Sequence, residues 1–184
     1  MPDADAITPD VTLRSETVHD GTLLRVRVDT VRLPSGNEKA REVVEHPGAI
    51  ALVPLLDDGR VVLVRQWRHA VGQVLLEVPA GTREAGEEPI TTAARELAEE
   101  TGYTARELVP LGAFYTAPGF CTENIHVFLA LGLTEGNATP EDDEGIALTR
   151  LPLADIPAAI ARGDLRDAKS IAAVAMTQHY LATH

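Results

Sequence analysis

The chain has 184 residues, 45% of them apolar, and a formal net charge of −12. That length suits one domain with a small appended element, and so large an apolar share excludes a largely disordered chain. The negative charge excludes unspecific binding to nucleic acid or anionic membranes, which needs a basic surface; metal ions and a few arginines can still reverse the field locally for a phosphorylated substrate.

A single cysteine, Cys121, excludes an intrachain disulfide framework and a cysteine-based zinc site. The six histidines show no ligand spacing, so zinc is not expected. No stretch reaches the roughly 18 uninterrupted apolar residues of a membrane helix. The opening MPDADAITPD is acidic and proline-bearing, unlike a signal peptide. The expectation is a soluble cytoplasmic protein with no nucleic-acid or membrane partner.

Residues 1–10 read as a frayed tail. From Val11 to Val31 apolar and polar residues alternate around Asp20-Gly21, a hairpin signal. Pro34-Ser35-Gly36-Asn37 is a turn, and Glu38 to Glu45 a further strand. Ala49 to Leu56 and Val61 to Trp67 are apolar strands joined at Asp57-Asp58-Gly59, and Val74 to Val78 is a short strand ending at Pro79-Ala80-Gly81. The period then changes. Pro89 to Thr101 is helical, with proline at its start and Gly102 just past its end. Leu108 to Tyr115 and Ile125 to Leu133 are strands flanking the loop from Thr116 to Glu123. An acidic loop from Thr134 to Gly145 leads to a strand at Ile146 to Leu151. Helices are expected at Leu153 to Arg162 and Ala168 to Ala182. Strands interrupted and followed by a few helices give an α+β or sandwich-like layered domain.

On a wheel of about 100° per residue, Ile90, Ala94, Leu97 and Thr101 of the first helix form the stripe expected to pack on a sheet. Glu96, Glu99 and Glu100 fall together on what reads as the opposite side, with Arg95 at its edge. Carboxylates so spaced repel one another, and a hard dication with oxygen ligands relieves the repulsion. Taken alone, such a face is more often a solvated acidic surface.

Its surroundings reverse that balance. Gly81 precedes Glu87 by six positions, Arg95-Glu96-Leu97 begins eight later, and Glu99-Glu100-Thr101-Gly102-Tyr103 completes the segment. This resembles the Nudix box, G-x5-E-x7-R-E-U-x-E-E-x-G-U with U apolar, at every defined position, Tyr103 filling the last. The resemblance extends from about Arg41 to the C-terminal helices. It implies an α+β Nudix fold, a mixed β-sheet sandwiched between α-helices, in residues 47–184. Residues 11–46 are then an N-terminal antiparallel β extension, read as a dimerisation element with an edge-covering role within one subunit as the alternative.

The resemblance also implies roles. Glu96 and Glu100, helped by Glu99, would hold Mg²⁺ (or Mn²⁺), with the carbonyl of Ala80 as a further ligand. Glu87 would orient the loop through Arg95. Tyr115-Thr116-Ala117-Pro118-Gly119-Phe120 places Pro118 fifteen positions beyond Tyr103, as in ADP-ribose pyrophosphatases. Leu76-Glu77-Val78-Pro79-Ala80-Gly81, Arg65-Gln66-Trp67-Arg68 and Glu123 are similar to the same subfamily. Substrate contacts are therefore expected from Arg68, from Arg41 toward a neighbouring subunit, and from Pro118, Gly119 and Glu123. Trp67 either stacks on adenine or belongs to the core. The general base is expected in Glu141-Asp142-Asp143-Glu144, with Glu144 before Glu141, and Glu99 is a further catalytic candidate.

The expected reaction is metal-dependent hydrolysis of ADP-ribose to AMP and ribose 5-phosphate by a homodimer. The rivals are another nucleoside diphosphate sugar, an oxidised nucleotide, or a ligand-sensing Nudix module without catalysis.

Overall fold

Residues 7–137 and 145–184 are described by the structure, a computed structural model. They divide into two units. The residues through Pro47, with Ala117–Glu123, form the first; those from Gly48 to Thr116 and from Asn124 onward form the second.

In the first unit, the alternating segment folds as β1 (Val11–Asp20), β2 (Arg25–Arg32) and β3 (Glu38–Glu45), an antiparallel sheet in the order β1-β2-β3. The turn after Asp20 is closed by the Gly21 N–H donating to the Leu24 carbonyl at 3.0 Å, and Arg25 pairs with Asp20 across it. Residues 117–123 join the end of β3. The Val44 N–H donates to the Phe120 carbonyl at 2.7 Å, and the Thr122 N–H donates to that of Val44 at 2.9 Å.

The second unit contains two sheets. β4 (Ala49–Pro54), β7 (Ala80–Thr82), β8 (Tyr103–Tyr115) and β9 (Asn124–Glu135) form a sheet in the order β7-β4-β9-β8, mixed because β4 and β9 run parallel. β5 (Arg60–Arg68), β6 (Gln73–Glu77) and β10 (Ile146–Pro152) form an antiparallel sheet in the order β10-β5-β6. The helices are α1 (Pro89–Thr101), α2 (Ile156–Arg162) and α3 (Ala168–Thr183).

Side chains of a strand alternate between faces, so the two faces of β4 serve two cores. Ala49, Ala51 and Val53 pack with Val127 and Leu129 of β9, Ile156 and Ala159 of α2, and Ala173 and Val174 of α3. Ile50 and Leu52 pack with Ala93 and Leu97 of α1 and with Phe128. The mixed sheet is thus sandwiched between α1 on one face and the C-terminal helices on the other. Burying a side chain such as Leu97 contributes about 1.5–3 kcal/mol, so α1 is held firmly against the sheet. Among the described residues, no helix is long and apolar enough to cross a membrane.

Three expectations are corrected. The stripe of α1 is not centred on Ile90 and Ala94. Ile90 is 50% exposed and Ala94 is exposed, while Thr92, Ala93, Glu96, Leu97, Glu100 and Thr101 are buried. Glu100 lies only about 60° from Leu97 around the helix and Glu96 about 100°, so both acids flank the packed face rather than oppose it. The segment from Leu153 begins as a 3-10 turn (Leu153–Asp155) before α2, with Pro157 in the first helical turn, where no N–H is needed. β7 forms at Pro79-Ala80-Gly81, where the sequence predicts only the end of the preceding strand: Ala80 and Gly81 pair with Ala51 and Ile50.

Candidate active site

α1 starts on a proline and stops at Gly102, whose φ of 73° is left-handed and whose N–H donates to the Ala98 carbonyl at 2.9 Å. Fixed at both ends, the helix turns Glu96, Glu99 and Glu100 toward the strand-and-loop segment that precedes it. Glu96 is 7% exposed and Glu100 is 2% exposed, unusual burial for an ionisable side chain without partners. Glu100 Oε2 accepts the Ala80 N–H at 3.0 Å, tying helix to β7. Nη1 of Arg95 donates to Glu96 Oε1 at 2.7 Å and to Glu99 Oε2 at 2.9 Å.

These groups border a cavity of about 280 Å³ lined by Arg68, Ala80, Gly81, Arg95, Glu96 and Glu99 among others. Gly81 has no side chain where the Glu96 carboxylate lies, and a Cβ there would overlap it.

The loop before α1 is tied to the same arginine. Glu87 accepts from Thr92 Oγ1 at 2.8 Å, from Arg95 Nη2 at 3.2 Å and from the Glu84 N–H at 3.3 Å. Arg83 donates to the Glu87 carbonyl at 2.7 Å. The Arg95 and Thr92 hydrogen bonds hold the Glu87 carboxyl down at about 2, and the carboxylates hold the Arg95 guanidinium above its ordinary value. A depressed carboxyl stabilises the fold above its unfolded value of 4.5 and loses that contribution as pH falls toward about 2. Glu87→Gln is accordingly expected to flatten the melting temperature against pH between those limits. An unchanged acid slope in a pH series of thermal melts would refute the coupling.

The residues fit a divalent cation by donor chemistry. Glu96 and Glu99 reach the cavity, Glu100 holds its wall, and all three offer the hard oxygens such ions take. The guanidinium of Arg95 stands between Glu96 and Glu99 as the local positive charge. Among the described residues, no group of three His, Cys, Asp or Glu side chains is gathered closely enough to hold an ion as they stand.

The other expected residues fall in different places. Arg68 lines the cavity with the acids, donating to both oxygens of Glu77 at 3.0 and 2.7 Å. Trp67 is 55% exposed, which overturns its core alternative. Arg41, Pro118 and Gly119 belong to the first unit, where they line a separate cavity of about 210 Å³. Arg41 Nη2 also donates to Asp10 at 3.0 Å. In the same unit Glu123 lies 3.7 Å from His46 Nε2. Glu141 and Glu144 fall outside the described residues.

Sequence reasoning passed over Glu77, buried at the end of β6, and Lys169, which pairs with it. The signal was present: Glu77 is a lone acid in the apolar run Val74-Leu75-Leu76-Glu77-Val78, and buried acids of that kind need a cation.

The mixed sheet between helices thus carries a glutamate helix whose Glu96 lies against Gly81. The NUDIX domain model matches residues 45–174, and the model of the nucleoside diphosphate sugar hydrolase N-terminal domain matches residues 11–44. The chain belongs to the Nudix family. It is 40% identical over 169 residues to an ADP-ribose pyrophosphatase of Bacillus subtilis (strain 168), covering 91% of each chain. It is 42% identical over 166 residues to an ADP-ribose pyrophosphatase of Mycobacterium tuberculosis (strain ATCC 25618 / H37Rv), covering 89% of this chain and 80% of the other. In fold it matches the crystal structure of an ADP compounds hydrolase with a TM-score of 0.87 at 23% identity, over 98% of both chains.

Proposed function

We propose that the protein hydrolyses the diphosphate of ADP-ribose to AMP and ribose 5-phosphate with Mg²⁺, which Mn²⁺ can replace. The observation that carries this is the shared cavity of Glu96, Glu99 and Arg68, backed by the buried Glu100. The two relatives named as ADP-ribose pyrophosphatases support the choice of substrate. Glu96, Glu99, Glu100 and the Ala80 carbonyl would hold the metal. A divalent ion there supplies neutralisation of the diphosphate oxygens and acidifies the attacking water.

Arg68 takes a phosphate oxygen from the cavity wall. Trp67, Pro118, Gly119 and Glu123 contribute to recognising the remainder of the substrate, and Arg41 contacts phosphate in a neighbouring subunit. A homodimer is supported by β1, an edge strand whose residues are all exposed, Val11, Leu13 and Val18 among them. Light scattering that finds a monomeric active enzyme contradicts the dimer. The site of action is the cytoplasm, in keeping with the acidic composition; recovery of the protein in a membrane fraction counts against it.

A proton acceptor is still needed for the attacking water. Glu144 is our first choice, Glu141 the second and Glu99 the alternative on α1. Glu144→Gln is expected to lower kcat by about 10²–10⁴-fold, the typical worth of a positioned base, with substrate affinity kept. A variant that turns over normally excludes Glu144.

A broader nucleoside diphosphate sugar specificity is the second reading, favoured by the N-terminal domain match. Nucleotide sugars assayed at equal concentration decide between them. ADP-ribose is expected to give the highest kcat/KM, and a preference for another sugar nucleotide would replace it as substrate.

A further inference from the structure

Glu77 closes β6 at 1% exposure. A carboxylate in that position destabilises the fold unless it is paired and fully hydrogen-bonded. Arg68 supplies a two-point contact from β5, through Nε at 3.0 Å and Nη2 at 2.7 Å, a geometry that fixes the guanidinium plane as well as its position. Lys169 Nζ donates to Oε2 of the same carboxylate and, at 3.0 Å, to Asp167 Oδ2. Asp167 is the N-cap of α3 and accepts the Ser170 N–H at 3.0 Å. Ser170 Oγ accepts the Val78 N–H at 2.8 Å. From Val78 the chain runs through Pro79 into Ala80 and Gly81, which line the cavity together with Arg68.

The first turn of α3 therefore grips both sides of one corner of the cavity: the backbone through Ser170 and the arginine through Lys169 and Glu77. Two acids, Glu77 and Asp167, alternate with two bases, Arg68 and Lys169. Burial pushes the Glu77 carboxyl up, but the Arg68 hydrogen bonds and the Lys169 charge outweigh it and hold the group below its ordinary value. With Lys169 removed, Arg68 alone would have to offset the buried carboxylate, and its guanidinium would be drawn toward Glu77 and away from any phosphate.

We infer that Lys169 is a positioning residue for substrate: from the head of α3 it holds Glu77, and Glu77 holds the Arg68 guanidinium at the cavity wall in the orientation that receives a phosphate. This rests on the phosphate contact proposed for Arg68. Neither Lys169 nor Glu77 touches substrate, and their effect is felt in binding more than in turnover.

Steady-state kinetics with ADP-ribose and Mg²⁺ test the relay in Lys169→Met, Lys169→Arg, Arg68→Ala and the Arg68→Ala/Lys169→Met pair. Lys169→Met is expected to raise KM about tenfold, the lower range for residues that orient a site from behind, with kcat changed much less. Lys169→Arg restores most of the affinity. In the Arg68→Ala background the loss of Lys169 adds little, because the group it positions is gone. A lowered melting temperature with unchanged KM in Lys169→Met would overturn the relay, as would losses that multiply in the double variant.

An unchanged KM in Arg68→Ala strikes at the phosphate contact itself. A raised KM there with an unchanged KM in Lys169→Met strikes at the relay alone. Should Lys169→Met fail to fold, Glu77→Gln/Lys169→Met removes both charges together. The same raised KM is then expected, and wild-type affinity in that variant refutes the inference.

Discussion

Glu100→Gln and Glu96→Gln are each expected to lower kcat/KM by about a thousandfold or more, the scale on which a lost metal-held charge acts. The melting temperature should barely move. Both substitutions keep the size of the side chain. In Glu100→Gln the new amide oxygen can still accept the Ala80 N–H that Glu100 accepts at 3.0 Å, so the tie between α1 and β7 survives. At position 96 the amide oxygen can still accept from Arg95, which loses one opposite charge but keeps Glu87 and Glu99. Removing a buried charge also relieves repulsion within the acid set. Activity and stability therefore part company. Glu99, whose side chain is 35% exposed and shares Arg95, should matter less, by about one to two orders of magnitude at most. Kinetics and thermal melts on the three variants check the ranking. Near-normal kcat/KM in Glu100→Gln would remove that residue from the metal set.

The second large effect is expected from Gly81→Ala. A methyl at this position would overlap the Glu96 carboxylate. Gly81 is also paired with Ile50 in β7, so its backbone is not free to retreat. The side chain of Glu96 yields instead, since its far end is flexible. The cost to the fold is then modest, about 1–3 kcal/mol for an overpacked site. The cost to function is large, because the displaced group is the proposed metal ligand. A fall in kcat of about a hundredfold or more, with the metal concentration for half-activation raised, is the expected outcome. Titration of activity with Mg²⁺ measures both. A Gly81→Ala enzyme that is activated by the same Mg²⁺ concentration as the parent would show that Glu96 has no metal role.

Legibility in the sequence differed sharply between residues. Pro89 and Gly102 marked α1 because a proline at a helix start and a left-handed glycine at its end leave little else possible. The hairpin at Asp20-Gly21 and the strands β3 and β10 announced themselves by alternation and turn chemistry. The packed face of α1 was less visible. Hydrophobic periodicity counted Ile90 and Ala94 into the stripe and Glu100 out of it, because it cannot see that a glutamate will be buried beside the backbone of Ala80. β7 was hidden for a related reason: Pro-Ala-Gly is turn chemistry locally, and only pairing with the edge of β4 makes it a strand.

The site followed the same division. Gly81, Glu87, Arg95, Glu96 and Glu100 lie close in sequence, and it was their resemblance to the Nudix box that singled out the acid helix and its loop. Lys169 lies 92 positions from Glu77, and no local pattern couples them. Their pairing depends on α3 packing against β4, β8 and β9, a long-range event that a single sequence does not display.

The acid helix is proposed to serve a metal-dependent cleavage of a diphosphate. ³¹P NMR of ADP-ribose incubated with the protein tests it most directly. With Mg²⁺ the diphosphate resonances should give way to those of AMP and ribose 5-phosphate. Excess EDTA should stop the conversion, and restored Mg²⁺ should resume it. Cleavage that continues undiminished in EDTA, or tight binding of ADP-ribose with no phosphomonoester formed in Mg²⁺, would contradict it.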